Sequence, residues 1–130
     1  MLRKVFKFII LMFFATVIMG SFKTYSMSVG NIICGTGVKN RKVVNPSDEF
    51  RGAKRIWCLV ELKNVKNSTY IVMRWVLNDR HFDIKLPVKP YNRFRTWSYK
   101  TIYPSMKGVW KLEIFDKNNK LLKEKVFVVK

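Results

Sequence analysis

The chain has 130 residues, with 26 Lys and Arg against 8 Asp and Glu, a formal net charge of +18, 48% apolar residues and 15% aromatic residues. That length holds one domain, and so heavy an aromatic load excludes a disordered chain. Beyond the N-terminal region no apolar stretch reaches the length of a spanning helix, which excludes a multi-span membrane protein.

The chain opens on Arg3, Lys4 and Lys7, followed by a 15-residue uncharged run over residues 8–22 that Lys23 closes. Basic start and short apolar run together read as a secretory signal peptide over residues 1–28. Thr24-Tyr25-Ser26 and Ser26-Met27-Ser28 offer small residues for cleavage, but neither is an Ala-x-Ala site. An uncleaved signal anchor, with Lys7 and Lys23 reaching the two interfaces, is the competing reading. A lipid anchor is disfavoured, since Cys34 lies far past the run and bulky Ile33 precedes it. Residues 29–130 are then the exported domain, in a bacterial periplasm or cell envelope. The N-terminal segment, if retained, is its only membrane contact.

The 102 residues after position 28 hold 22 basic and 8 acidic side chains, a net +14. This excess favours an anionic partner or surface. The positives are scattered through strands and turns rather than gathered into one run, which argues against nucleic acid.

Cys34 and Cys58 both sit in strand-like text, Ile32-Ile33-Cys34 and Ile56-Trp57-Cys58-Leu59-Val60. Counted by twos, Cys58 shares a face with Ile56, Val60 and Leu62, the expected core side. An oxidising compartment permits a Cys34–Cys58 disulfide, which would contribute about 3 kcal/mol through loop closure. Two reduced, buried cysteines are the alternative. Two cysteines and one histidine supply no zinc-site spacing, and neither metal nor cofactor is expected.

The exported domain reads as short alternating runs separated by turn residues, with strands expected near 31–38, 55–63, 69–77, 81–88, 93–102, 108–116 and 121–129. Residues 39–54, with Asn45-Pro46 and Asp48-Glu49-Phe50, form the one long connection and the expected crossover between sheets. Seven strands in about 100 residues, without an amphipathic helix, predict an all-β antiparallel sandwich of immunoglobulin-like size. Alternation assigns Ile71, Met73, Trp75, Leu77, Phe82, Ile84, Leu86, Val88, Trp110, Leu112 and Ile114 to the core. Arg74, Asp83, Lys85, Lys111 and Glu113 fall on the wet faces.

One strand departs from this pattern. Arg93, Arg95, Trp97 and Tyr99 recur at every second residue, so an extended strand projects all four from one face. With Lys100 they form the candidate ligand-binding patch, suited to a phosphate, a sugar or an acidic peptide. The alternative is an arginine–aromatic ladder with Glu113 as its salt partner. Asp79, His81 and Asp83 alternate as well, but the turn expected at 78–80 would bend that row and leave it solvated. Ser98 and Ser105 have no evident base, and no Gly-rich phosphate loop occurs.

The run Arg95-Thr96-Trp97-Ser98-Tyr99-Lys100, then Gly108-Val109-Trp110-Lys111-Leu112-Glu113-Ile114-Phe115-Asp116 and a closing Val126-Phe127-Val128, resembles a bacterial family of small exported all-β domains. That family is catalogued only as a domain of unknown function. The resemblance covers about residues 32–129, with Gly37-Val38, Asn45-Pro46 and Arg74-Trp75 also in place. It implies a short all-β domain behind a signal peptide or membrane segment, and it transfers no activity. Two departures stand out. The turn after Asp116 has Asn118 and Asn119 in place of a glycine, and no histidine precedes Arg74-Trp75, His81 being the only one.

The expected function is therefore non-catalytic: an envelope β-sandwich that binds a protein partner, as an accessory subunit of an envelope assembly. The alternative is a binder of an anionic polymer, glycan or lipid headgroup through the arginine–aromatic strand.

Overall fold

A computed structural model describes residues 26–130. The expected segment 1–28 lies outside the described residues apart from its last three, and Ser28 already opens the first strand. The strands are β1 (Ser28–Gly35), β2 (Gly37–Lys39), β3 (Lys42–Val44), β4 (Glu49–Phe50), β5 (Arg55–Lys63), β6 (Thr69–Leu77), β7 (Arg80–Val88), β8 (Arg93–Thr101), β9 (Gly108–Phe115) and β10 (Leu121–Val129). No helix among the described residues is long and apolar enough to cross a membrane.

The strands form an all-β sandwich. A three-stranded sheet of order β1-β5-β8 faces a five-stranded sheet of order β4-β10-β9-β6-β7, and β2 and β3 make a separate hairpin. Every pairing is antiparallel except that of β4 with β10. Six of the seven expected strands lie within a residue or so of their expected limits. The first differs: it runs Ser28–Gly35 rather than 31–38, because the chain turns at Thr36 into the β2–β3 hairpin. The 39–54 stretch does cross between sheets, delivering β4 to the edge of the larger one.

Period-two alternation builds the core. Ile71, Met73, Trp75 and Leu77 point inward from β6, and Trp110, Leu112 and Ile114 from β9, all buried. They meet Ile32, Cys34, Ile56, Cys58, Val60 and Leu62 from the smaller sheet. Phe127 stacks on Trp110 at 6.0 Å and meets Trp75 edge-on at 6.1 Å, within the range where aromatic pairs attract beyond simple burial. The Trp110 indole N–H donates to the Met106 carbonyl at 2.9 Å, and a short 3₁₀ turn (Pro104–Met106) presents that acceptor. On β7 only Val88 is fully buried, whereas Phe82, Ile84 and Leu86 face the core but stay partly open, since β7 is an edge strand.

Cys34 and Cys58 are bonded. They are direct partners in the β1–β5 register, so strand pairing brings the sulfurs together. Asparagine punctuates the turns. Asn40, Asn45, Asn64, Asn78 and Asn119 all hold a positive φ, and Asn119 does so in the turn after Asp116 where a glycine is missing. Asp116 caps its turn by accepting from the Asn118 and Lys120 amides at 2.8 and 2.9 Å.

Candidate functional site

Strand register places Arg93, Arg95, Trp97 and Tyr99 on the outer face of the three-stranded sheet. Across that face run three rows: Asn31–Glu61–Arg95, Ile33–Leu59–Trp97 and Gly35–Trp57–Tyr99. Tyr99 packs against Trp57 with ring centroids 4.7 Å apart, and the Arg55 guanidinium lies 4.7 Å from the Tyr99 ring centre. The aromatic half of the face is thus stiffened by ring and cation contacts.

The arginine half has one carboxylate. Arg93 Nε lies 3.4 Å from one Glu61 oxygen and Arg95 Nε 3.6 Å from the other. These are ion pairs too long to be good hydrogen bonds. Glu113, the expected partner, lies on the other sheet opposite Arg74. The alternation of β8 could not show which neighbouring strand supplies the counter-charge. That depends on β5 lying beside it.

Lys100 meets this patch only at the β8 edge, where it shares a hollow of about 610 Å³ with Trp57, Trp97 and Tyr99. It is one residue out of phase with Tyr99, so its side chain leaves the opposite face of β8. Its ammonium sits 4.1 Å from the centre of the Phe82 ring on β7, at the open side of the sandwich. Burial, with a smaller like-charge contribution from Arg80, holds its pKa below the usual lysine value. Ser98, two residues earlier on the same inner face, donates to Met73 Sδ at 2.7 Å and ties the two sheets together.

A residue that the sequence did not single out completes the outer face. The β2–β3 hairpin folds back over β1 and β5, with Thr36 N–H donating to the Val44 carbonyl and Ser47 N–H to the Cys34 carbonyl, both at 2.9 Å. Gly35 permits this approach: a Cβ there would come within 2.3 Å of the Val44 carbonyl oxygen and 2.4 Å of Val43 Cγ1. The hairpin covers Leu59, which is 5% exposed although it points away from the core. Its tip carries Arg41, and two hollows result. One, of about 530 Å³, is lined by Arg41, Tyr91, Arg93, Phe94, Arg95 and Trp97. The other, of about 260 Å³, shares Arg41 and Arg95 and adds Ile33, Leu59 and Glu61. The only sequence signal for Arg41 is the Asn40-Arg41 pair inside a connection with no evident strand pattern.

On the five-stranded sheet, Arg74 donates to both oxygens of Asp83 at 2.9 and 3.1 Å, and His81 Nδ1 lies 3.1 Å from one of them. The Arg74 hydrogen bond, chiefly, holds the Asp83 carboxyl below the usual carboxylate range. Asp83 is therefore already engaged, and no group of three metal-ligating side chains occurs among the described residues.

Fold and site together define a basic β-sandwich with an arginine–aromatic face on its smaller sheet. Residues 68–129 match the family model described as Protein of unknown function (DUF2914), which bears out the resemblance to a domain of unknown function over β6 to β10. Among solved structures, the chain is similar to a Niemann-Pick type C2 protein from Japanese carpenter ant, at 9% identity and a TM-score of 0.49, over 83% of this chain and 96% of that one. No curated protein matches the chain.

Proposed function

We propose that this protein is a non-catalytic, exported domain of the cell envelope that takes an anionic ligand on the outer face of its three-stranded sheet. One observation carries the reading. Arg41, Arg93 and Arg95 converge beside Trp97, with Glu61 the only carboxylate lining either hollow. Guanidinium groups offer forked donors to carboxylate, sulfate or phosphate, and the flanking rings supply a flat apolar contact. The buried Cys34–Cys58 disulfide supports an oxidising compartment, and the basic, then apolar N-terminal text supports export.

A second reading, a protein partner within an envelope assembly, is supported by the outer edge of β8. This strand runs nine residues without proline and pairs only with β5 among the described residues, so an extended segment could add to it.

Salt separates the two. Titration of an anionic polymer into the full chain, held in non-ionic detergent, should show binding that collapses between low and physiological salt. Arg95→Ala or Trp97→Ala should abolish it with the thermal transition retained. Capture of one stoichiometric protein from envelope extract, undiminished at physiological salt and by either substitution, would replace this reading with the second.

A further inference from the structure

Arg41 stands where a glycine would be easier to accommodate. It occupies the second position of the two-residue turn between β2 and β3, at φ 59°, directly after Asn40 at φ 52°. Such a turn favours Asn-Gly, because a side chain in the left-handed region is strained and glycine is not. Strain retained at one position is a reason to ask what the side chain does there. Here the strained residue lines both hollows of the outer face.

The two hollows adjoin, with Arg41 and Arg95 as their common wall, and together make a groove of two compartments. It runs from Tyr91 and Phe94 at the β8 edge, stacked at 6.1 Å and 10°, past Trp97 to exposed Ile33 and to Leu59 under the hairpin. A groove of that shape suits a chain. Its chemistry is mixed: guanidinium groups for an anion, ring faces for a flat partner, and the Glu61 carboxylate set between Arg93 and Arg95 with only 14% of its side chain exposed. A polyanion without donor groups meets the arginines but leaves Glu61 without a ligand partner. A ligand with hydroxyl donors beside its anionic group would use it, since an ionised carboxylate can only accept.

Resting on the anion-binding reading above, we infer that the groove takes an acidic polysaccharide. Anionic groups of the sugar acid meet Arg41, Arg93 and Arg95, a sugar ring lies on Trp97, and a hydroxyl donates to Glu61. Arg41 is retained in a strained turn because it closes the groove from the hairpin side.

The test uses the full chain in non-ionic detergent, titrated at low salt with polygalacturonate, poly-glutamate, polyphosphate and neutral dextran, matched for chain length. Polygalacturonate should bind about tenfold tighter per charge than poly-glutamate or polyphosphate, and dextran should not bind. Arg41→Gly should weaken polygalacturonate by about tenfold or more while the thermal transition stays level or rises. Arg41→Asn, which also tolerates the left-handed turn, should behave alike. Equal binding of all three polyanions overturns the saccharide assignment and leaves the anionic face standing. Loss with Arg95→Ala but not with either Arg41 variant removes Arg41 from the site. Binding of none of the polymers sinks the anion-binding reading itself.

Discussion

At Lys100 a single step in phase separates a surface charge from a half-buried one. Tyr99 faces the outer sheet surface, while Lys100 turns inward over Phe82. Its lowered pKa means that the charged form is less favourable in the folded chain than in the unfolded one. That cost is fully present at neutral pH, and it fades as pH rises through the folded value toward the unfolded one. Lys100→Met should therefore raise the thermal midpoint at pH 7 by about 2 °C, with the gain shrinking in the alkaline range. It should leave anion binding on the outer face unchanged. Asp83 has the opposite sign. Its carboxyl is depressed, first by the Arg74 hydrogen bond and next by that from His81, so its stabilisation is complete above the ordinary carboxylate range and is lost as pH falls through the lower folded value. The pair is exposed and contributes less than about 1 kcal/mol. Asp83→Asn should therefore lower the melting midpoint slightly at pH 7, for a loss of less than about 1 kcal/mol, and leave it unchanged once acid has protonated the folded carboxyl, so that the acid limb flattens.

The β2–β3 hairpin is the element on which the candidate site depends, and Gly35 is its seat. A methyl group at Gly35 would strike the backbone of Val44, which cannot swing aside as a long side chain could. Gly35→Ala should destabilise the fold by about 1–3 kcal/mol and lift the hairpin from Leu59. The check is a denaturant melt alongside polymer titration. Anion binding should fall further than with Arg41→Gly, because both hollows open at once. The neighbouring β6–β7 hairpin needs no such allowance. Asn78 takes the positive φ, and Leu77 pairs directly with Arg80.

For the molecule as a whole, the two sheets are joined by a buried aromatic and aliphatic layer, and the disulfide fastens β1 to β5 inside it. Replacing Cys34 and Cys58 together with Ala should cost about 3 kcal/mol by loop closure, seen as a lower denaturant midpoint with a steeper slope, because the unfolded chain without the cross-link exposes more surface. Phe127→Ala, which removes the ring that meets Phe50, Trp75 and Trp110, should cost about 3–5 kcal/mol by the same measurement. Neither change touches the arginine groove, so any refolded fraction should bind polymer with unaltered affinity.

The sandwich was legible in the chain before any contact was known, because alternation is a local property. A strand of period two writes its buried face into residues such as Ile71, Met73, Trp75 and Leu77, and turn asparagines mark where it stops. By the same rule Arg93, Arg95, Trp97 and Tyr99 were legible as one face. What lies beside them follows from how distant strands and loops pack. Glu61 is their counter-charge because β5, more than thirty residues earlier in the chain, pairs with β8. Arg41 joins them because Gly35 lets a hairpin fold back across the sheet. Neither fact has a local period to reveal it. Contacts between distant segments are set by the packing of whole faces, and a side chain's role in such a contact follows from where that packing leaves it.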